Sequence, residues 1–162
     1  MKITASILSD RINEACSCTV DKNVKVQDLY RLYKSEHSPI RTKVFSVQMD
    51  NIPSFVSVHF ARHKIGVEHY VKSLRDDRNG DGTEDRNTPV NHLMIINAQA
   101  LINMARKRLC GKSHRKTIDV MQAVKESIRD IDYALYRAML VDCEYRRGCW
   151  EFKSCGHFEQ FG

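Results

Sequence analysis

The residues best suited to chemistry lie in one run, from Arg62 to Arg78. Its 17 positions hold five lysines and arginines and two histidines, directly after an apolar stretch. Arginine holds phosphate and carboxylate groups in a defined geometry through paired N–H donors. The run therefore predicts a pocket for a phosphorylated small molecule or a nucleic-acid surface. The remaining interpretation is a solvated face, in which these cations pair with the acids of the next loop.

The composition limits the class of protein. The 162 residues, 42% of them hydrophobic, suffice for one core, so we expect a single domain over 1–162. The net charge of +6 favours anionic partners. No stretch approaches the roughly 18 apolar residues of a membrane span, and the N-terminus lacks the apolar run of a signal peptide. We therefore expect a cytoplasmic protein without membrane contact, whose six cysteines are reduced.

The spacing of apolar residues predicts the elements that position the run. We expect strands at residues 2–8 and 44–49 and helices at residues 24–36 and 53–63. Asp50 and Asn51 are typical of a turn between the second strand and the second helix. That helix would deliver the cationic run at its end.

The second half of the chain predicts mostly helix. Residues 76–91 are polar and glycine-rich, which indicates a long loop. Apolar positions then indicate one long helix from Pro89 to Leu109 and another from His114 to Leu140. A cysteine-rich, irregular tail begins at Val141. The fold class expected is α+β, with a small antiparallel sheet packed with two long helices.

Four cysteines on or after the long helices form a candidate metal site: Cys110, Cys143, Cys149 and Cys155. The last three recur at wider spacing than most zinc ligand pairs have. The two interpretations left open are one zinc site, built from the four thiolates or with His157, and a set of separate, ordinary thiols.

An ordered set of motifs resembles the flavin-dependent thymidylate synthases. A His37-Ser38-Pro39 turn precedes a strand, then Arg62-His63-Lys64, and then a helix that carries Asn97 and Arg108. The signature of that family is Arg-His-Arg, seven residues and then Ser. Here lysine takes the third position and eight residues precede Ser73. The chain resembles a diverged, short member.

The resemblance implies a fold like that of these synthases and a flavin-dependent enzyme. The reaction implied is transfer of a one-carbon unit from methylenetetrahydrofolate to C5 of deoxyuridine monophosphate (dUMP) or a related pyrimidine nucleotide. FAD would be the cofactor, NADPH the hydride donor, and a homotetramer the assembly. The alternative is a non-catalytic nucleotide- or nucleic-acid-binding protein on the same scaffold.

The resemblance also implies roles for residues. Ser73 and Arg108 are the candidate catalytic residues. The substrate nucleotide would contact His59, Arg62, Ser73, Arg75, Arg78 and Arg108. The flavin would contact Ser38, Arg41, His63, Lys64, Asn97 and Asn103.

Overall fold

The computed structural model describes residues 1–19, 25–78 and 80–158. The strands are β1 (Lys2–Ser9), β2 (Val44–Pro53), β3 (Val67–Val71) and β4 (Pro89–Asn97). The helices are α1 (Ile12–Thr19), α2 (Leu29–Lys34), α3 (Ser54–Ala61), α4 (Ala98–Arg108), α5 (Arg115–Arg129), α6 (Tyr133–Ala138) and α7 (Asp142–Arg146), with a 3₁₀ helix at Ser38–Thr42. The strands form one sheet in the order β1-β2-β4-β3, with antiparallel neighbours. The expected α+β class is confirmed.

One face of the sheet carries the core. Buried and more exposed residues alternate along β2 and β4, as a strand's period of two requires. Buried side chains of α3, α4 and α5 join this face in a single hydrophobic cluster. We call it the buried face. No helix in the described part of the chain is both long and apolar enough to cross a membrane.

A buried polar group ties the helices to the sheet. Asp132, at the start of α6, accepts hydrogen bonds from the Tyr33 hydroxyl at 2.7 Å and from the backbone N–H of Leu135 at 2.9 Å. The ammonium of Lys43 lies 2.7 Å from the same carboxylate and 2.8 Å from that of Asp10. Each charge is paired, which offsets the cost of its burial.

Two predictions about the first half are confirmed in part. The strand at residues 2–8 exists, and so does the strand that starts at Val44. The turn at Asp50 and Asn51 is wrong. The second strand continues to Pro53 through a bulge, and Asn51 takes a left-handed conformation with φ of 58°.

The helix expected from Pro89 is wrong over its first half. Residues 89–97 are a central strand, because Val90, His92, Met94 and Ile96 alternate toward the buried face. Leu93 and Ile96, which suggested helical spacing, point to opposite faces. Only Ala98–Arg108 is helical.

The other helices are shorter than predicted. The helix expected at 114–140 is two helices, α5 and α6. Asp132 starts α6, because its side chain accepts a hydrogen bond from the backbone N–H of Leu135. The expected helix at 24–36 covers only Leu29–Lys34, and its predicted first residue, Val24, lies outside the described residues. The sequence reading missed α1, and it missed β3 inside the cationic run.

Candidate functional site

A cavity of about 530 Å³ lies where α3 and α4 end and α5 begins. Its ionisable lining residues are Arg62, Lys107, Arg108, Lys112, His59, His63, His114 and Glu151. Cations are stable at helix C-termini, where the backbone dipoles leave negative partial charge. The basic residues at the ends of α3 and α4 therefore stabilise both helices. With one carboxylate among these residues, the cavity is suited to an anion.

Arg108 is the half-buried cation at the centre of this geometry. Its Nε donates to Nε2 of His63 at 3.0 Å, and its Nη2 donates to the backbone carbonyl of His59 at 2.6 Å. Burial, followed by the nearby charge of Arg62, lowers the pKa of Arg108. Arginine stays charged at neutral pH all the same. Its guanidinium is thus held in place without a carboxylate among its hydrogen-bond partners in the described chain.

His63 is held as a neutral imidazole. Burial, reinforced by the charges of Arg108, His69 and Arg62, lowers the pKa of His63 to about 4. Since Arg108 donates to its Nε2, that nitrogen must be the unprotonated one. At neutral pH the ring therefore accepts a hydrogen bond from Arg108 and adds no charge to the cavity.

His59 forms a second wall of the cavity. Its Nδ1 lies 2.8 Å from the hydroxyl of buried Thr117. The ring of Phe55 packs edge-on against both His59 and His114. Burial and then the charge of Arg108 lower the pKa of His59. These contacts join α3 to the start of α5 and fix the width of the cavity.

Arg106, two residues before Arg108, enters a different cluster. Its Nη2 donates to the carboxylate of Glu36, which also accepts from the Tyr145 hydroxyl at 2.7 Å and from Gln99 at 2.6 Å. The guanidinium stacks on the Tyr145 ring, 3.7 Å from its centroid. These hydrogen bonds lower the pKa of Glu36 against the opposing effect of burial. Here an arginine is neutralised by a carboxylate.

The predicted nucleotide contacts fall into two groups. His59, Arg62 and Arg108 line the cavity, together with His63 from the predicted flavin set. Ser73, Arg75 and Arg78 lie beyond the end of β3 and line neither this cavity nor the second one described below. Arg75 forms a two-bond pair with Asp77 at 2.8 and 2.6 Å, while Arg78 is exposed.

The remaining predicted flavin contacts lie near the opposite end of α4. Asn97 caps that helix, because its side chain accepts a hydrogen bond from the backbone N–H of Ala100. The backbone N–H of Ala98 donates to the carbonyl of Lys43. Lys43 directly follows the 3₁₀ helix that carries Ser38 and Arg41. The loop of Lys64 reaches the same point. Gly66 accepts from the Asn97 backbone. Asn103 is exposed one turn and a half further on, and accepts from Gln99.

The four cysteines line a second cavity, of about 390 Å³, between α5 and the tail. The sequence prediction was right to associate them in space. However, no group of three or more His, Cys, Asp or Glu side chains within residues 1–19, 25–78 and 80–158 is arranged to hold a metal ion. The zinc interpretation therefore has no support, and the thiols remain free, with Cys149 buried.

Sequence reasoning missed several residues of the site. Lys112, in the turn after α4, and Glu151 also line the cavity. The basic end of α4, from Arg106 to Arg108, was the available signal. His92 was missed because its strand was assigned to a helix.

Comparison with known proteins supports the fold. No family model matches the sequence, and no curated protein matches it by sequence. A crystal structure of thymidylate synthase X (ThyX) from Helicobacter pylori with FAD and dUMP has a TM-score of 0.71, at 12% identity, over 86% of this chain and 99% of that chain. A second structure of the same flavin-dependent synthase with FAD and dUMP has a TM-score of 0.68, at 12% identity, over 86% of this chain and 100% of that chain. The likeness shows that this chain has the fold of these synthases.

Proposed function

We propose that this chain is a flavin-dependent enzyme that transfers a one-carbon unit from methylenetetrahydrofolate to C5 of dUMP, with NADPH as hydride donor. The observation that carries the proposal is Arg108. It is a half-buried cation in a basic cavity, and its described hydrogen-bond partners are a neutral imidazole and a carbonyl. The fold is that of structures that hold FAD and dUMP.

The nucleotide phosphate occupies the cavity at the end of α4. A volume of about 530 Å³ lies in the usual range for small-molecule sites. Arg108 uses two of its five N–H groups inside the chain, which leaves donors for phosphate oxygens. Arg62 and Lys112 supply further countercharge. Neutral His63 orients Arg108 through its Nε2 and adds no charge of its own.

The flavin phosphates lie toward the start of α4, about 16 Å away along the helix. The residues there fit such a group. The helix N-terminus attracts anions, Arg41 and Lys64 are exposed cations, and Gly66 allows close backbone approach. A Cβ on Gly66 would lie 2.5 Å from the Asn97 amide nitrogen, and φ is +75°. When bound, FAD would supply the hydride-transfer chemistry.

A second copy of the chain completes the site in a homotetramer. Ser73, Arg75 and Arg78 lie outside the cavity of their own chain, so they serve the nucleotide of a neighbour. Apolar side chains are exposed beside them, with Ile65 90%, Tyr70 59% and Val71 42% accessible. An edge strand with exposed apolar residues is typical of a surface that another chain covers.

The test is binding and turnover by the purified protein. We expect flavin absorbance that co-elutes with a tetramer, dUMP binding by calorimetry, and thymidylate formation with folate and NADPH. Arg108→Gln should weaken dUMP binding thirtyfold or more in that assay, as expected when a phosphate loses a charged hydrogen-bond partner. Arg11→Gln, which removes a surface arginine paired with Glu14, is the matched control and should leave it intact. A monomer that takes up neither FAD nor dUMP would contradict the proposal.

A further inference from the structure

Three polar side chains form a hydrogen-bonded line from the core to the edge strand β3. The Ser57 hydroxyl lies 3.0 Å from Nδ1 of His92, Nε2 of His92 lies 2.9 Å from Nδ1 of His69, and Nε2 of His69 lies 2.7 Å from the His63 carbonyl oxygen. His92 is fully buried and Ser57 nearly so. The two histidines are diagonal neighbours on β4 and β3, on the buried face.

The end of the line determines where each hydrogen lies. A carbonyl oxygen can only accept, so Nε2 of His69 carries the proton. Nδ1 of His69 then accepts from Nε2–H of His92. Nδ1 of His92 in turn accepts from the Ser57 hydroxyl. Every polar atom named here has a partner of the right kind, which offsets the cost of burying them.

His63, whose carbonyl oxygen ends the line, also contacts Arg108 through its ring. His69 holds the backbone carbonyl of His63, while Arg108 binds its ring and the carbonyl of His59. The last turn of α3 is therefore held from β3 on one side and from α4 on the other. Because a carbonyl does not take up a proton, the line cannot carry protons into the cavity.

We propose that Ser57, His92 and His69 are positioning residues: they fix the end of α3 so that neutral His63 presents Arg108 to the anion in the cavity. The part that concerns the anion rests on the proposed function. The tautomers rest on the hydrogen bonds alone. His69 and His92 are Nε2–H tautomers, and His63 is the Nδ1–H tautomer.

Nitrogen NMR of the histidine rings at pH 7 tests the arrangement directly. The proposal requires protonated Nε2 in His69 and His92 and protonated Nδ1 in His63. Finding Nε2–H in His63, or Nδ1–H in His69, would overturn it. Neither result depends on whether the protein is an enzyme.

A matched pair of variants tests the effect on the cavity. His69→Leu removes both hydrogen bonds, whereas the amide of His69→Gln can accept from His92 and donate to the carbonyl. His69 is half-buried on an edge strand, so both variants should fold. We expect His69→Leu to weaken inorganic phosphate and dUMP binding about tenfold, as for one misplaced charged hydrogen bond, and His69→Gln to restore it.

A second variant covers the buried position. His92→Phe keeps an aromatic ring near Phe60 but cannot donate to His69. It should shift the His63 ring signals and weaken phosphate binding in the folded protein. Equal phosphate affinity and unchanged His63 signals in His69→Leu and His92→Phe would overturn the positioning role. If the unaltered protein binds no phosphate, the proposed function fails, and the tautomers alone decide this inference.

Discussion

Arg106 and Arg108 are two residues apart in α4, yet their surroundings differ in kind. Arg106 is paired with Glu36 and stacked on Tyr145. Arg108 contacts an imidazole that burial keeps neutral and a backbone carbonyl. A paired buried charge contributes to structure, and a buried cation held without a carboxylate is poised for an external anion. The position of the two arginines in α4 does not show which one binds a ligand, but their hydrogen-bond partners do.

At neutral pH, the largest expected effect on stability falls on the paired arginine. Arg106→Gln leaves the Glu36 carboxylate without its cation in a partly buried cluster. We expect a loss of about 2–3 kcal/mol in unfolding free energy, below the range for fully buried pairs because both side chains keep some exposure. Urea unfolding measures this.

A double-mutant cycle sharpens that result. Glu36→Gln combined with Arg106→Gln should lose less stability than the two single changes added together. Strict additivity would mean that the pair is not coupled, and the contrast with Arg108 would fail.

Acid should destabilise the protein through the neutral histidines. Burial lowers the pKa of His92 to about 4, with a smaller effect from His69. Above the usual pKa of about 6.5, the ring is neutral in both states. Between that value and about 4 only the unfolded chain binds the proton, so stability falls as pH falls. By about pH 4, His92 alone lowers the free energy of unfolding by about 3 kcal/mol.

The pH window identifies the buried histidines, and a variant separates the contribution of His92 from that of His63, whose pKa burial also lowers to about 4. His92→Gln should remove much of the slope of unfolding free energy between pH 6.5 and 5, above the range where carboxylates titrate. An unchanged slope would show that His92 binds its proton equally well in the folded and unfolded states.

The smallest effect concerns Glu151, the acid among the described residues that line the cavity. Glu151 pairs with Lys107 at 3.1 Å on the exposed rim. Glu151→Gln should raise phosphate affinity about two- to threefold, the scale of a surface charge. Glu14→Gln, far along the chain and also paired with an arginine, is the control. A weaker affinity in Glu151→Gln would mean that the carboxylate organises the cavity.

The sequence predicted the fold class and the main elements of the cavity. The cationic run and the basic end of α4 point to an anion site, because local charge is visible in the sequence. The alternation of residues 90–96 was also visible, but apolar positions at helical spacing extended into it from Ala98–Arg108 and favoured a helix. Residues 89–97 form a strand because they pair with β2 on one side and β3 on the other, which the local sequence does not show.

Partners were harder to predict than positions. Glu36 neutralises Arg106 across 70 residues of chain, and His69 meets His92 across 23. No local pattern shows such pairs. The four cysteines were correctly associated in space, but a shared cavity does not make a metal site.

The most direct test compares dUMP affinity in two variants that lose the same charge from the same helix. We expect Arg108→Gln to weaken dUMP binding by about 2–4 kcal/mol, thirtyfold or more, in calorimetric titration of the folded protein. Arg106→Gln, measured where it is folded, should bind within about threefold of the unaltered chain. Equal losses in the two variants, or no loss in Arg108→Gln, would contradict the central claim.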